Sequence, residues 1–158
     1  MGAGKTSVGH ALSRRLGWSF VDLDAEIERH EKKTVREIFQ TLGEAHFRGL
    51  EHERLEKLAT RPNAVIALGG GAYIDPQNRE LADSTGLTVW LKVSFATIRQ
   101  RIKIDGTRPL FGDNIRAERL YEERLPAYSL ARLHVSAEVN SPDRVAAEIV
   151  TQMERHRL

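Results

Sequence analysis

The sequence predicts an α/β fold, a parallel sheet with helices on both of its faces. Two observations carry that reading. Short apolar runs near 19–22, 65–68, 87–91 and 133–136 alternate with segments of helical periodicity along a chain of 158 residues, the pattern of strands joined by helical crossovers. The chain also opens Met1-Gly2-Ala3-Gly4-Lys5-Thr6. That is the second half of a G-x-x-x-x-G-K-[ST] loop, which in such sheets joins a strand to a helix and cradles phosphate.

The elements follow in order. Val8, Ala11, Leu12 and Leu16 recur at helical spacing, so a helix runs from Lys5 to Leu16 and Gly17 ends it. Ser19-Phe20-Val21-Asp22 reads as a short strand ending in an acid, and a helix starts at about Asp24. Thr34-Val35-Arg36-Glu37 is a capping box that opens a helix from Val35 to Leu42. Gly43 breaks it, and a charged helix continues from about Glu44 to Ala59 on an apolar stripe of Phe47, Leu50, Leu55 and Leu58. Val65-Ile66-Ala67-Leu68 is a continuous apolar run, typical of a strand buried on both faces, and it ends in Gly69-Gly70-Gly71. A short helix covers Pro76 to Asp83, and Leu87 to Leu91 is the third strand. Ser94 caps a helix to about Ile102, a polar loop spans Ile104 to Asn114, and a helix covers about Ile115 to Leu125. Leu133-His134-Val135-Ser136 is the fourth strand, and the last helix runs from Pro142 to about Arg155.

Composition bounds the function. Charged residues are 29% and aromatics 6%, the balance of a folded soluble domain of ordinary size. A formal net charge of +2 is too small for a nucleic-acid footprint, and no apolar run is long enough to span a bilayer. The absence of cysteine excludes disulfides, a thiol nucleophile and a thiolate metal site. The six histidines show no i, i+4 metal pair and read as structural or surface residues. The expectation is a monomeric cytoplasmic protein without nucleic-acid or membrane partners.

Ligands of such sheets sit at the carboxyl ends of the strands, and there the chemically distinctive residues cluster. The opening loop points backbone N–H groups at phosphate oxygens. Lys5 adds a mobile positive charge, the Thr6 hydroxyl is placed for Mg²⁺, and the helix behind contributes the positive end of its dipole. Asp22 and Asp24 put two carboxylates two residues apart at a strand end. In extended backbone they face one side, one to hold Mg²⁺ through water and the other to accept from a hydroxyl, although Asp24 alone also suits a helix cap. Three successive glycines let backbone approach a ligand with no side chain in the way. Arg48, Arg108 and Arg124 are forks suited to carboxylate and phosphoryl groups, while Arg29, Arg54, Arg79 and Arg155 read as solvated.

Together these residues resemble the shikimate kinase family. The resemblance rests on Gly2-Ala3-Gly4-Lys5-Thr6-Ser7-Val8-Gly9, Phe20-Val21-Asp22-Leu23-Asp24, Gly43-Glu44-x-x-Phe47-Arg48-x-x-Glu51, Leu68-Gly69-Gly70-Gly71, Thr107-Arg108-Pro109-Leu110 and Arg124-x-x-x-Tyr128, and it covers essentially the whole chain. It implies ATP- and Mg²⁺-dependent phosphorylation of shikimate at its 3-hydroxyl in aromatic amino-acid biosynthesis. The implied fold is a single three-layer P-loop kinase domain with a central parallel sheet of order 2-3-1-4-5, acceptor-binding helices over about 24–60 and a lid over about 104–114. The resemblance assigns ATP to Gly2, Ala3, Gly4, Lys5, Thr6, Ser7 and Arg108, with Arg101 and the Ser141-Pro142 turn flanking the adenine. It assigns the acceptor to Asp24, Arg48, Gly70, Gly71 and Arg124, the metal to Thr6 and Asp22, and catalysis to Lys5, Asp24 and Arg108.

The sequence departs from the family pattern in two places. The family's first strand and the first loop glycine are missing, so an N-terminally truncated domain lacking its central strand is expected. Ser136 also stands where the family often has an acid after its last strand. Two other readings remain open at this point: a gluconate-type kinase with a carboxylated polyol acceptor, and a nucleotide-binding module impaired in catalysis by the missing strand.

Overall fold

A computed structural model describes residues 2–105, 114–139 and 141–156. Within them α1 covers Lys5–Leu16, β1 Ser19–Asp22, α2 Leu23–Glu31, α3 Val35–Ala59 and β2 Ala64–Ala67. A 3-10 turn at Ala72–Ile74 leads to α4 at Pro76–Thr85, then β3 at Val89–Lys92, α5 at Phe95–Asp105, α6 at Asn114–Tyr128, β4 at Leu133–Ser136 and α7 at Pro142–His156.

The local signals act as expected where backbone chemistry decides. Gly17 closes α1 in the left-handed region at φ 67°, a conformation costly for a side chain. The Thr34–Glu37 capping box is formed in both directions, the Glu37 carboxylate accepting from the Thr34 N–H at 2.7 Å. Gly43, at φ 83° and ψ 169°, interrupts α3 where the sequence places the break. Asp75 caps α4 and Pro76 occupies its first turn. The expected end of α6 at Leu125 is too early. The helix carries Pro126 within it and reaches Tyr128, whose side chain is fixed by tertiary contacts described below.

The expected single central sheet is not what the described residues form. β1 pairs in parallel with β2, Ser19 opposite Ala64 and Asp22 opposite Ala67. β3 pairs in parallel with β4, Val89 opposite Leu133 and Lys92 opposite Ser136. No ladder joins the two pairs among the described residues. Between them lies an apolar slot of about 580 Å³, lined among others by Ala3, Val8, Val65, Leu68, Val89 and Leu91. The slot corrects a second expectation. The runs at 65–68 and 87–91 read as fully buried strands, yet Val65, Ile66, Val89 and Leu91 are only half-buried because one edge of each strand faces the slot. β4 alternates instead, with Leu133 and Val135 inside and His134 and Ser136 outside.

Two apolar clusters flank these strands. One joins Val8, Ala11 and Leu12 of α1 to Val135 of β4 and to Val145, Ala146 and Ile149 of α7. The other joins Leu23 and Ile27 of α2 to Ile38, Phe47, Leu50, Leu55 and Leu58 of α3. Val65 packs against the first and Ile66 against the second, the alternation a strand imposes on successive side chains. The strand ends are thereby held between a helical layer on each side. α1 sits close on β1, since a Cβ on Gly9 would collide with the Phe20 ring.

The start of α5 is tied to the segment after β4. Ser94 donates its N–H to Glu138 at 2.7 Å and its hydroxyl at 2.5 Å, and the Thr97 hydroxyl donates to the same carboxylate. The Ser94 and Thr97 hydroxyls, then the Ser94 N–H, lower the Glu138 pKa from 4.5 to about 2. A carboxyl depressed by folding stabilises above its unfolded pKa, and that stability is lost as pH falls through the folded value. The protein should therefore lose melting temperature more steeply between pH 4.5 and about 2 than Glu138→Gln does. Parallel acid profiles of the two proteins would show that this tie contributes nothing.

Candidate active site

The phosphate loop opens onto α1. Gly2 and Gly4 both take left-handed backbone, at φ 63° and 88°. No side chain caps α1 at Gly4, and its first turn carries no acid. A helix start without side-chain cap or acid, behind glycines that turn the chain sharply, suits a polyphosphate. The Thr6 hydroxyl donates to Asp22 Oδ2 at 3.1 Å, so the two expected metal ligands meet across α1 and β1. A hydroxyl and a carboxylate are hard oxygen donors, and a site with so few protein ligands suits Mg²⁺, which keeps most of its waters and shares phosphate oxygens. The donor set thus fits the metal. No cluster of three or more His, Cys, Asp or Glu suited to a metal occurs among the described residues.

Asp22 does a second job. Its Oδ1 accepts from the N–H groups of Asp24 and Ala25, at 3.1 and 3.4 Å, and so caps α2. This corrects the reading of Asp24 as a helix cap, and with it the premise that the pair sits in extended backbone. β1 stops at Asp22, and Asp24 lies in the first turn of α2. With Asp22 as the cap, the Asp24 carboxylate turns toward the glycine loop. A Cβ on Gly69 would stand 2.6 Å from Asp24 Oδ1 and 3.1 Å from Glu51 Oε1.

The triple glycine is explained by its neighbours as much as by any ligand. A Cβ on Gly71 would stand 2.7 Å from Arg48 Nη2 and closer still to Nη1. Gly69 makes room for two carboxylates and Gly71 for a guanidinium. Arg48 lies over the paired rings of Phe39 and Phe47, at 6.0 and 5.5 Å from the ring centres. It donates to Glu51 at 2.5 Å and to Glu44 at 3.0 Å. Burial lowers the Arg48 pKa, but the bonds to Glu51 and Glu44 outweigh it and raise the value overall. Glu51 moves the other way. It is 1% exposed, and burial raises its carboxyl, helped by Asp24 and opposed by Arg48 and Arg124. Pairing dominates for the half-exposed arginine and burial for the enclosed acid.

Arg124, on α6, acts on the same cluster through its charge on Glu51 and on the Tyr128 hydroxyl. The Tyr128 hydroxyl donates to the Gly70 carbonyl at 2.6 Å. Arg101 Nη2 donates to the carbonyls of Ala137 and Glu138, at 2.7 and 2.9 Å, and is fixed against the segment leading to Ser141 and Pro142. Lys5 sits in the first turn of α1, and Ser7 beside it is exposed. Arg108 and positions 106–113 of the expected lid lie outside the described residues. Glu51 and Tyr128 were not among the expected site residues. Their signal was present in the spacing, Arg48-x-x-Glu51 being i, i+3 and Arg124-x-x-x-Tyr128 being i, i+4 on a helix.

A glycine-turned loop with a metal-suited Thr–Asp pair, joined through Asp22 to a helix whose Asp24 meets Arg48 at a glycine strand end, has the make-up of a phosphoryl-transferring kinase of the P-loop class. Comparison with known proteins narrows the class. The shikimate kinase family model matches residues 1–154. The shikimate kinase of Thermobifida fusca is 49% identical over 156 residues, covering 96% of this chain and 88% of the relative. That of Sulfurihydrogenibium sp. is 36% identical over 98% of this chain and 94% of the relative. Among solved structures, the shikimate kinase of Acinetobacter baumannii in complex with shikimate superposes with a TM-score of 0.92 at 34% identity, covering 100% of this chain and 90% of that one. The Aquifex aeolicus enzyme gives 0.86 at 36% identity over 99% and 93%. The chain belongs to the shikimate kinase family, and its activity is the ATP- and Mg²⁺-dependent phosphorylation of shikimate in aromatic amino-acid biosynthesis. The gluconate reading is not favoured.

The packing of Arg48 on Gly71 gives a test. In Gly71→Ala the new methyl overlaps the far end of a flexible side chain, so Arg48 must shift while the backbone need not. Because the nearest atom, Nη1, is also the one bonded to buried Glu51, thermal stability should fall as well. The KM for shikimate should rise by about tenfold or more, the effect of weakening one charge-assisted bond of about 1.5–3 kcal/mol. An unchanged KM would show that the Arg48 position does not matter to the acceptor.

Proposed function

We propose that the loop Gly2–Ser7 holds the ATP phosphates, that Thr6 and Asp22 hold Mg²⁺, and that Arg48 and Arg124 grip the carboxylate of shikimate. Asp24 orients the 3-hydroxyl of shikimate and takes its proton. The observation that carries this reading is the convergence of Asp24, Glu51 and Arg48 on one three-glycine strand end, with the charge of Arg124 felt at the same Glu51.

In the reaction the 3-oxygen forms a bond to the γ-phosphorus as the bond from that phosphorus to the β,γ-bridging oxygen breaks. The hydroxyl proton passes to Asp24, and ADP leaves with the bridging oxygen's electron pair. Transfer of this kind needs positioning and charge neutralisation more than covalent catalysis. Lys5 and the start of α1 supply positive charge, and bound Mg²⁺ neutralises the phosphates. Gly70 and Gly71 present backbone to the sugar-like ring, and Arg101 with Ser141 and Pro142 borders the adenine. Arg108, in Thr107-Arg108-Pro109-Leu110, adds charge at the transferred group. The enzyme works as a cytoplasmic monomer, a reading supported by a site drawn from one chain. No helix among the described residues is long and apolar enough to cross a membrane.

Two substitutions separate binding from chemistry. Arg124→Ala should raise the shikimate KM about ten- to a hundredfold through loss of a charge-assisted bond, with the ATP KM near that of the parent. Asp24→Asn should lower kcat by about 10²–10⁴-fold, the usual contribution of a positioned proton acceptor, with smaller effects on both KM values. Steady-state kinetics with both substrates varied checks the pair. If Asp24→Asn turns over at the parent rate, the carboxylate takes no part in the reaction.

We further propose that the slot between β2 and β3 takes one parallel strand, giving a single sheet in the order β1, β2, added strand, β3, β4, which is the family order 2-3-1-4-5 when the added strand is counted first. The apolar lining from both sheet pairs and from α1 supports this, as does the unpaired edge that each pair turns to the slot. About five apolar residues in that place would contribute roughly 1.5–3 kcal/mol each by burial, partly offset by the entropy of ordering them. Appending about ten residues with an apolar strand pattern ahead of Gly2, enough to reach the loop from such a strand at about 3.3 Å per residue, should raise both melting temperature and ATP affinity. No gain in either would remove the case for a strand there.

A further inference from the structure

We propose that Tyr128 is a positioning residue of the acceptor site. Its hydroxyl pins the Gly69–Gly71 loop to α6 and so fixes the spacing between Arg48 and Arg124. The inference rests on the reading of those arginines as a carboxylate clamp and adds the element that sets its width.

The two arginines belong to different parts of the molecule. Arg48 is on α3, inside the cluster built with α2, and lies against Gly71. Arg124 is on α6, which enters the chain after β3 and α5 and precedes β4. The charge of Arg124 on α6 reaches Glu51 on α3. The bond from Tyr128 Oη to the Gly70 carbonyl, 2.6 Å across 58 positions of sequence, links them through the loop.

Each partner suits a pin. Tyr128 is four residues beyond Arg124, so both project from the same face of α6, one turn apart. Gly70 lies between Gly69, pressed by Asp24 and Glu51, and Gly71, pressed by Arg48. The Tyr128 ring is steadied by Trp90 at 6.3 Å between centroids, and Trp90 in turn meets His134 edge-on at 5.2 Å. A carbonyl only accepts, so the phenol must be the donor. Burial raises its pKa, with Arg124 opposing, and it stays protonated at neutral pH. A carboxylate gripped by two guanidinium forks tolerates displacements of only about 0.5 Å, which is the reason a single bond at this joint governs affinity.

The test is Tyr128→Phe, which keeps the ring and removes the donor. Melting temperature is measured first, and kinetics are run well below it. The shikimate KM should rise about tenfold, the loss of one bond to a carbonyl that then lacks a partner. The ATP KM should be unchanged and kcat should stay within about threefold, since the pin acts on the acceptor arginines rather than on the phosphate loop. In the double variant Tyr128→Phe with Arg124→Ala, the shikimate KM should match that of Arg124→Ala alone, because the pin acts through that arginine. Unchanged shikimate KM in Tyr128→Phe, or full additivity in the double variant, overturns the positioning role. If Arg124→Ala alone leaves the shikimate KM unchanged, the clamp reading fails instead. Should the Phe variant not fold at any assay temperature, 3,5-difluorotyrosine at position 128 keeps ring and hydroxyl but makes the phenol more acidic. Its shikimate KM should match the parent below the phenol pKa and rise above it, with the parent flat over the same pH range. A flat profile for the analogue overturns the proposal.

Discussion

The acceptor half of the molecule depends on one buried charge. Glu51 is 1% exposed and lies with Asp24 in the space that a Cβ on Gly69 would fill. An isolated carboxylate in such a place costs several kcal/mol. Arg48 meets that cost from one side, and its position is then dictated in turn. The guanidinium is held by Glu51, stacked near Phe39 and Phe47, and accommodated by the missing side chain of Gly71. Remove Glu51 and the arginine loses its anchor. Remove the arginine and Glu51 loses its bonded partner beside Asp24, with the charge of Arg124 left to oppose theirs. The glycines follow from this packing as strictly as from any demand of the substrate.

The nucleotide half is built on the opposite principle. α1 begins without side-chain cap or acid, and positive potential gathers from backbone and Lys5. Asp22 is where the halves meet. One oxygen faces the Thr6 hydroxyl of the phosphate loop, and the other caps the helix that carries Asp24. A single residue at the end of β1 thus sets the approach of donor and acceptor. Alternate residues of β2, Val65 and Ile66, carry the same division inward to separate apolar clusters.

What the sequence made legible were features whose cause is local. Gly17, Gly43, the Thr34–Glu37 box and the phosphate loop each act through backbone conformation or one turn of helix, and each stands where expected. The features missed have causes remote in sequence. The capping role went to Asp22 because β1 ends there, two residues sooner than an extended backbone shared with Asp24 requires. α6 outlasts Leu125 because Tyr128 is drawn to Gly70, 58 positions away. The roles of Gly69 and Gly71 depend on α2 and α3, and no pattern around residue 70 encodes them. The half-burial of β2 and β3 depends on what lies beside them in the sheet, and an apolar run looks the same with or without a neighbour.

For a clamp to work, Arg48 must keep one partner and yield another, and exposure decides which. Its bond to Glu44 is at 3.0 Å with the Glu44 side chain 66% exposed, while its bond to Glu51 is at 2.5 Å with that side chain 1% exposed. An exposed ion pair is worth about 0–1 kcal/mol, within reach of any well-placed carboxylate. Breaking a buried pair costs about 3–5 kcal/mol, more than one substrate contact returns. On the proposed reading of Arg48 as one arm of the clamp, an incoming carboxylate displaces Glu44 and leaves Glu51 in place. Glu44 holds the fork in a bonded orientation beforehand, which lowers the entropy lost on binding. The requirement that the proposed clamp puts on the acceptor is then a negative charge at the open side of Arg48. A neutral polyol offers nothing that outbids Glu44, so the same ion pair that organises the pocket also selects for an acid.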